Sequence, residues 1–411
     1  MPSIKPFKAL IPSSDLLTDV VTRPLEYYGV NEANLIASKK VNSFFNLINP
    51  KSANLFMRGS AQEIIYKNIS ENLESFLDNK TLIQADKPAI YIYRVKNNGL
   101  TQVGIWTLTN INDYLAGNIK KHEHTVESRE RLLTEYLEQT GLDANPVLIT
   151  YPPNVVIDEL IDHYINQKPD IEFDYKDSTR HSIWLITNIN ELKMIVDTFA
   201  LMSSVYIADG HHRIASIAKM KANKFSLSKN EHAGHNFFST IYMNTQQIRV
   251  LEYNRLVKDL SGLNEEDFLT AISASFYIEK QKQAIKATTL HEFGMCLKSG
   301  WYKLIAKPGT YNSDPVDVLD VSILQKYLLE PILNIKNPRT DSRIEFEGGN
   351  TPLTELEKKI NNEDYAVAFA LFPISVEQII NIADANRIMP PKSTWVEPKF
   401  LVGLLTHLFN E

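Results

Sequence analysis

One short run concentrates residue types that do chemistry: Asp209-Gly210-His211-His212-Arg213. The apolar residues before it, Val205 to Ala208, read as a buried strand. The residues after it place Ile214, Ile217, Ala218 and Met220 on one helical face. A strand that stops at a glycine just before a helix makes a turn with backbone freedom. Backbone N–H groups and the positive end of the helix dipole point out of such a turn, which suits phosphate. Arg213 adds a bidentate donor. His211 and His212 are hydrogen-bond donors, or one of them is an acid–base group near neutral pH. Asp209 is of a type that fixes a histidine tautomer, binds magnesium or accepts a substrate proton. Two other uses stay open for the same residues. One is a metal site without nucleotide, and the other is a turn in which Asp209 merely caps the helix.

Three further runs qualify. Lys120-Lys121-His122-Glu123-His124-Thr125 puts two histidines at i and i+2, on one side of an extended segment, with Arg129 and Arg131 close behind. They suit a metal or ligand, or else form an exposed charged turn. His181 opens an apolar strand and fits either a surface or a site. Arg387-Ile-Met-Pro-Pro-Lys-Ser-Thr394 is a proline-led loop in which Lys392, Ser393 and Thr394 can bind phosphate or carboxylate, or simply hold an ordered loop. No Walker loop, GxGxxG, HExxH, GxSxG or CxxC occurs, so those classes lose support.

The elements that must position these residues are mixed. Pro88–Val95 and Thr101–Thr109 read as a hairpin around an Asn-Asn-Gly turn. Pro146–Tyr151, His181–Thr187 and Phe237–Met243 read as strands. Ala61–Asp78, Glu127–Thr140 and Val155–Gln167 read as helices, as does 190–201 with Asn190 as its N-cap. Further on, Phe268–Ala274, Ala284–Leu297, Val318–Glu330 and Val376–Ala385 read as helices, with strands at Trp301–Ala306 and Tyr365–Phe372. The chain has 411 residues, 44% hydrophobic and 22% charged, which is an ordinary globular composition. Its length suggests about two to four domains. The net charge, 43 − 49 = −6, argues against duplex nucleic acid as the main partner. The single cysteine, Cys296, excludes an intrachain disulfide and reads as a buried apolar residue. No apolar run reaches the ~18–20 residues that span a bilayer, so a cytoplasmic protein is expected.

The sequence resembles the bacterial and archaeal family called domain of unknown function 1015. The stretches that carry this are Ile4-Lys-Pro-Phe-Lys-Ala-Leu, Lys121-His-Glu-His-Thr, His181-Ser-Ile-Trp and Ile207-Ala-Asp-Gly-His-His-Arg. Leu319-Asp-Val-Ser-Ile-Leu and Met389-Pro-Pro-Lys-Ser-Thr-Trp-Val-Glu-Pro-Lys-Phe-Leu-Val-Gly-Leu complete the set. The chain departs from the family pattern in places. His124 stands where the family has arginine. The family's early tyrosine–aspartate pair falls on Leu25-Glu26. Of its proline–x–histidine–arginine pattern, Glu252-Tyr253-Asn254-Arg255 keeps only the arginine. The DGHHR turn is also similar to that of free-serine kinases on the ParB/sulfiredoxin-like fold, whose turn contacts nucleotide phosphates.

The resemblance implies an α+β fold: a mixed sheet with flanking helices and a ParB/sulfiredoxin-like core, plus a smaller C-terminal α/β unit. The expected division is residues 1–245 as a nucleotide-binding domain and 246–411 as a C-terminal domain. The implied activity is nucleotide-dependent phosphoryl transfer to the hydroxyl of a serine-like metabolite. A non-catalytic nucleotide- or ligand-binding regulator and a phosphate-ester hydrolase are the alternatives. In the kinase reading Gly210, His211, His212 and Arg213 hold ATP or ADP with magnesium. Asp209, His211, Glu26 and Glu123 do the acid–base work. His122, His124, His181, Lys392, Ser393 and Thr394 line the acceptor side. The expected partners are the nucleotide and a small-molecule substrate, with no membrane; a homodimer is admitted.

Overall fold

The computed structural model describes residues 2–28, 30–48, 60–97, 99–224 and 234–409. Contacts divide the chain into two compact units. The first takes Met1–Lys121, Thr125–Ile248 and Pro398–Glu411; the second takes His122–His124 and Arg249–Glu397. The units are therefore not the contiguous segments 1–245 and 246–411: the last residues return to the first unit and three residues near 123 join the second.

The first unit is built on a nine-stranded mixed sheet. Its strands are β1 (Ile4–Lys5), β2 (Ile90–Asn97), β3 (Leu100–Asn110), β4 (Ile119–Lys120), β5 (Val147–Tyr151), β6 (Ile171–Asp174), β7 (Arg180–Ile186), β8 (Val205–Asp209) and β9 (Phe237–Asn244). The order is β4-β8-β5-β9-β3-β2-β7-β6, with β1 also on β3. The pairs β8–β4 and β9–β5 are parallel and the others antiparallel.

Alternation along the strands sends two sets of side chains to opposite faces. Ile92, Ile105, Ile149, Trp184, Ile207 and Tyr242 share one face and one core. Helices α1 (Glu127–Thr140), α2 (Val155–Ile165), α3 (Ile189–Ala200) and α4 (His211–Lys224) cover it with Leu137, Ile157, Ile195 and Ile214. Each such large apolar side chain contributes about 1.5–3 kcal/mol on burial. The other face carries Tyr93, Trp106, Ser239 and Ile241, and the returning C-terminal segment lies on it. The Phe400 ring sits 5.9 Å from that of Tyr93 and 6.4 Å from that of Trp106.

The second unit has a six-stranded antiparallel sheet made of β10 (Tyr253–Val257), β11 (Phe276–Gln281), β12 (Glu292–Leu297), β13 (Gly300–Ala306), β14 (Ile344–Gly348) and β15 (Val367–Ala370). The order is β11-β13-β12-β15-β10-β14. Helices α5 (Glu265–Ile272) and α7 (Val376–Asp384) and the segment 319–335 pack on one face, while α6 (Leu353–Asn361) packs on the other.

Two local expectations are corrected. Ala284–Leu297 is not a helix: Glu292–Leu297 is the β12 strand. Its apolar run is short and buried between β13 and β15, and periodicity alone cannot separate such a run from a helix. The N-cap of α3 is Asn188, whose side chain accepts from the N–H groups of Asn190 and Glu191. Cys296 is buried as expected. Among the described residues no helix is long and apolar enough to cross a membrane.

Candidate functional site

The DGHHR turn sits where β8 meets α4, and a local irregularity aims its carboxylate. Ile207 pairs with Ile149 and Asp209 with the adjacent Leu148, so the register shifts between them. A regular strand would put Asp209 on the same face as Ile207, in the apolar core. The bulge turns it to the opposite face. Gly210 follows with φ +99°, a conformation that an L side chain rarely adopts.

Asp209 bridges two cations. Its Oδ2 accepts from an Nη2–H of Arg213 and its Oδ1 from Lys399 Nζ at 3.0 Å. Arg213 reaches it from one turn into α4, and Lys399 comes from the returning C-terminal segment. The other end of the guanidinium donates to the Asn145 side-chain oxygen and, at 2.6 Å, to the Pro146 carbonyl. The turn is not sealed: 33% of the Asp209 side chain and 20% of the Arg213 side chain stay exposed. Desolvation pushes the Asp209 carboxyl up, but Lys399 and Arg213 together more than offset it, with His211 adding to them. It therefore lies well below the usual carboxylate range.

A second carboxylate stands behind the arginine. Asp143 is buried, and its Oδ2 accepts from the Ser239 N–H at 2.7 Å. The Ser239 hydroxyl accepts from the Trp106 indole N–H, also at 2.7 Å. Burial raises Asp143 to about 7, although the Ser239 N–H and Arg213 pull it down. On the helix itself His211 is buried, and the Nδ1 of His212 accepts from the Val126 N–H at 3.4 Å, which places the ring proton on Nε2.

His181 does not join this cluster. From β8 to β7 the order runs β8-β5-β9-β3-β2-β7, five steps of ~4.8 Å. His181 is buried in a chain of its own. Thr179 donates its hydroxyl to Asp177 at 2.5 Å, so its oxygen must accept from His181 Nε2–H at 2.7 Å. Nδ1 is then left to accept from the Tyr93 hydroxyl at 2.6 Å. Asp177 pairs in turn with Arg23. Burial, with Arg23 behind it, drives His181 down to about 3, so it is neutral at physiological pH. It is an interior histidine with both ring nitrogens engaged, and it does not stand beside the turn.

His122, Glu123, His124, Lys392, Ser393 and Thr394 lie in the second unit. His122 is buried and its carbonyl accepts from the Met389 N–H at 2.9 Å, so 122–124 and the proline-led loop lie together. Glu123 is half-buried and His124 exposed. Lys392 donates to the Tyr253 hydroxyl at 3.4 Å, and Ser393 donates to the Pro390 carbonyl at 2.6 Å. Thr394 is half-buried. The Glu26 side chain lies outside the described residues. Among the described residues no group of three His, Cys, Asp or Glu side chains is placed to hold a metal.

A family model described as a protein of unknown function, DUF1015, matches residues 4–322. The chain belongs to this family. No curated protein matches the sequence. Three solved structures resemble this DUF1015 protein at a distance. A mutant free serine kinase in complex with AMP has a TM-score of 0.40 and 11% identity, covering 73% of this chain and 92% of that one. A conserved hypothetical protein from Pyrococcus furiosus has a TM-score of 0.37 and 12% identity, covering 72% and 91%. A C-terminally truncated SbnI from Staphylococcus aureus has a TM-score of 0.40 and 11% identity, covering 74% and 87%. Likenesses this weak carry no argument about chemistry.

Sequence reasoning missed three members of the DUF1015 turn cluster: Asp143, Asn145 and Lys399. Lys399 lies inside the Met389–Leu404 stretch that carried the family resemblance, so a signal for it existed. Asp143 and Asn145 sit in an unremarked link before β5. Their part becomes visible only when that link meets the first turn of α4.

Proposed function

We propose that this protein is a nucleotide-dependent kinase that phosphorylates the hydroxyl of a small, serine-like metabolite. The observation that carries the proposal is the Asp209 bridge between Arg213 and Lys399 at the start of a fourteen-residue helix. Two cations and one ionised carboxylate leave a local surplus of one positive charge, and an α-helix leaves its first N–H groups without intrahelical acceptors. Phosphates placed over Gly210 to His212 meet both. The partial exposure of Arg213 and Asp209 leaves the approach open. Phosphoryl transfer suits such a site because its catalysis is mostly positioning and charge neutralisation.

The roles follow from the electrostatics. Asp209 is too acidic to take a proton from a hydroxyl and instead holds Arg213 and Lys399 at fixed positions. His211, two residues after Asp209 at the first position of α4, is in its neutral form the turn's proton acceptor. Magnesium would neutralise phosphate charge. The turn offers it one carboxylate already shared by two cations, so the ion would enter largely on the nucleotide's own phosphates.

The test is incubation of the full chain with ATP or ADP, magnesium and a panel of hydroxy amino acids, read by mass spectrometry. A phosphorylated amino acid that disappears in Arg213→Ala is expected. Nucleotide binding without turnover would make the protein a regulator. Phosphate release from phosphoserine without nucleotide would make it a hydrolase.

A further inference from the structure

Arg255 is the one arginine among the described residues that is buried, with 3% of its surface exposed. Burial sets it apart from the exposed arginines, and it also lacks the carboxylate partner that six others have. Arg23, Arg94, Arg180, Arg213, Arg343 and Arg387 each pair with a carboxylate. Arg255 pairs with none among the described residues: its guanidinium donates only to the backbone carbonyls of Tyr253 and, at 3.1 Å, Lys392. A buried guanidinium without a countercharge is costly, because two carbonyl dipoles do not replace an anion. Burial lowers its pKa only to about 10, so it stays charged at neutral pH.

The surroundings are built around that charge. Tyr253 and Arg255 share one face of β10. Phe346 lies opposite on β14, with the guanidinium carbon 5.5 Å from its ring centroid. The Trp395 ring packs edge-on to Tyr253 at 5.5 Å. Gly348 makes room for that ring, since a Cβ there would lie 2.7 Å from it. Lys392 brings a second cation, its ammonium 5.2 Å from the Tyr253 ring centroid. Its backbone adopts φ +55°, uncommon for lysine, and its carbonyl reaches Arg255.

We infer that the second unit contains an oxyanion site, in which a carboxylate or phosphate of a small molecule supplies the missing partner of Arg255 between Lys392 and the rings of Tyr253, Phe346 and Trp395. The inference does not depend on the kinase reading, whose phosphate site is in the first unit.

The test uses the full chain carrying Arg213→Ala, which weakens the first-unit site. Inorganic phosphate and benzoate are titrated separately by calorimetry, and melting temperature is followed alongside. At least one of the two should bind and raise the melting temperature, and which one does so names the source of the oxyanion. Adding Arg255→Gln should weaken that binding at least tenfold, while Arg255→Lys should retain part of it. If Arg255→Gln does not fold, Arg255→Lys and Lys392→Met carry the comparison, each expected to weaken binding. Failure of both anions to bind, or binding unchanged by Arg255→Gln or by both substitute variants, overturns the inference and leaves Arg255 as a cross-link between two carbonyls.

Discussion

The Arg213 guanidinium lies directly over Gly210: a Cβ at that glycine would fall 2.9 Å from Nε and 3.0 Å from Nη2. Gly210 is thus required twice, once by its positive φ and once by the cation stacked on it. Gly210→Ala should destabilise the protein by about 1–3 kcal/mol through backbone strain and displace Arg213 from Asp209. Chemical denaturation measures the first effect and nucleotide calorimetry the second. A variant with wild-type stability and affinity would show that the turn tolerates a side chain.

Arg213, four residues beyond Asp209, and Lys399, 190 residues beyond it, hold the same carboxylate, and both should matter to an anion at the turn. Arg213→Ala should weaken nucleotide binding by ~1.5–3 kcal/mol, the range for losing a charge-assisted hydrogen bond. Lys399→Met should act in the same direction. If only Arg213→Ala weakens binding, Lys399 serves Asp209 alone.

Asp143 supplies a pH dependence opposite to that of an ordinary ion-paired carboxylate. Its folded pKa of about 7 lies above the usual value of 3.8. Between those values the native state keeps a proton that the unfolded chain releases, so its contribution to stability falls as pH rises from about 4 to 7. Asp143→Asn keeps an acceptor for the Ser239 N–H and removes the titration. Its melting temperature relative to wild type should be higher at pH 8 than at pH 5. A pH-independent difference would mean that Asp143 ionises normally.

His181 behaves in the reverse sense. Its folded value of about 3 lies below the ordinary 6.5, so its contribution is complete above 6.5 and is lost as pH falls toward 3. His181→Asn should cost stability at pH 7.5 by breaking the Tyr93–His181–Thr179 chain. The deficit should shrink on acidification. Melting curves from pH 7.5 to 4.5 decide this, and a constant deficit would show that the histidine ionises in the fold as it does in the unfolded chain.

Much of this protein was legible in its residues. The hairpin at 90–110, the long helices and the strand–glycine–helix turn follow from periodicity and turn chemistry, which act over a few neighbours. Elements set by distant packing were harder to read. Glu292–Leu297 is a strand because β13 and β15 flank it, and no local signal states that.

The sequence by itself determined that Asp209, Gly210 and Arg213 would crowd one strand-to-helix junction, because adjacency along the chain is enough to bring them together. Only the tertiary structure decided that Lys399, 190 residues away, completes the charge on Asp209, and that His181 stays five strands off among aromatic rings. The reason is that side chains interact through space over a few ångströms, and strand order, register and one bulge set which distant residues come that close.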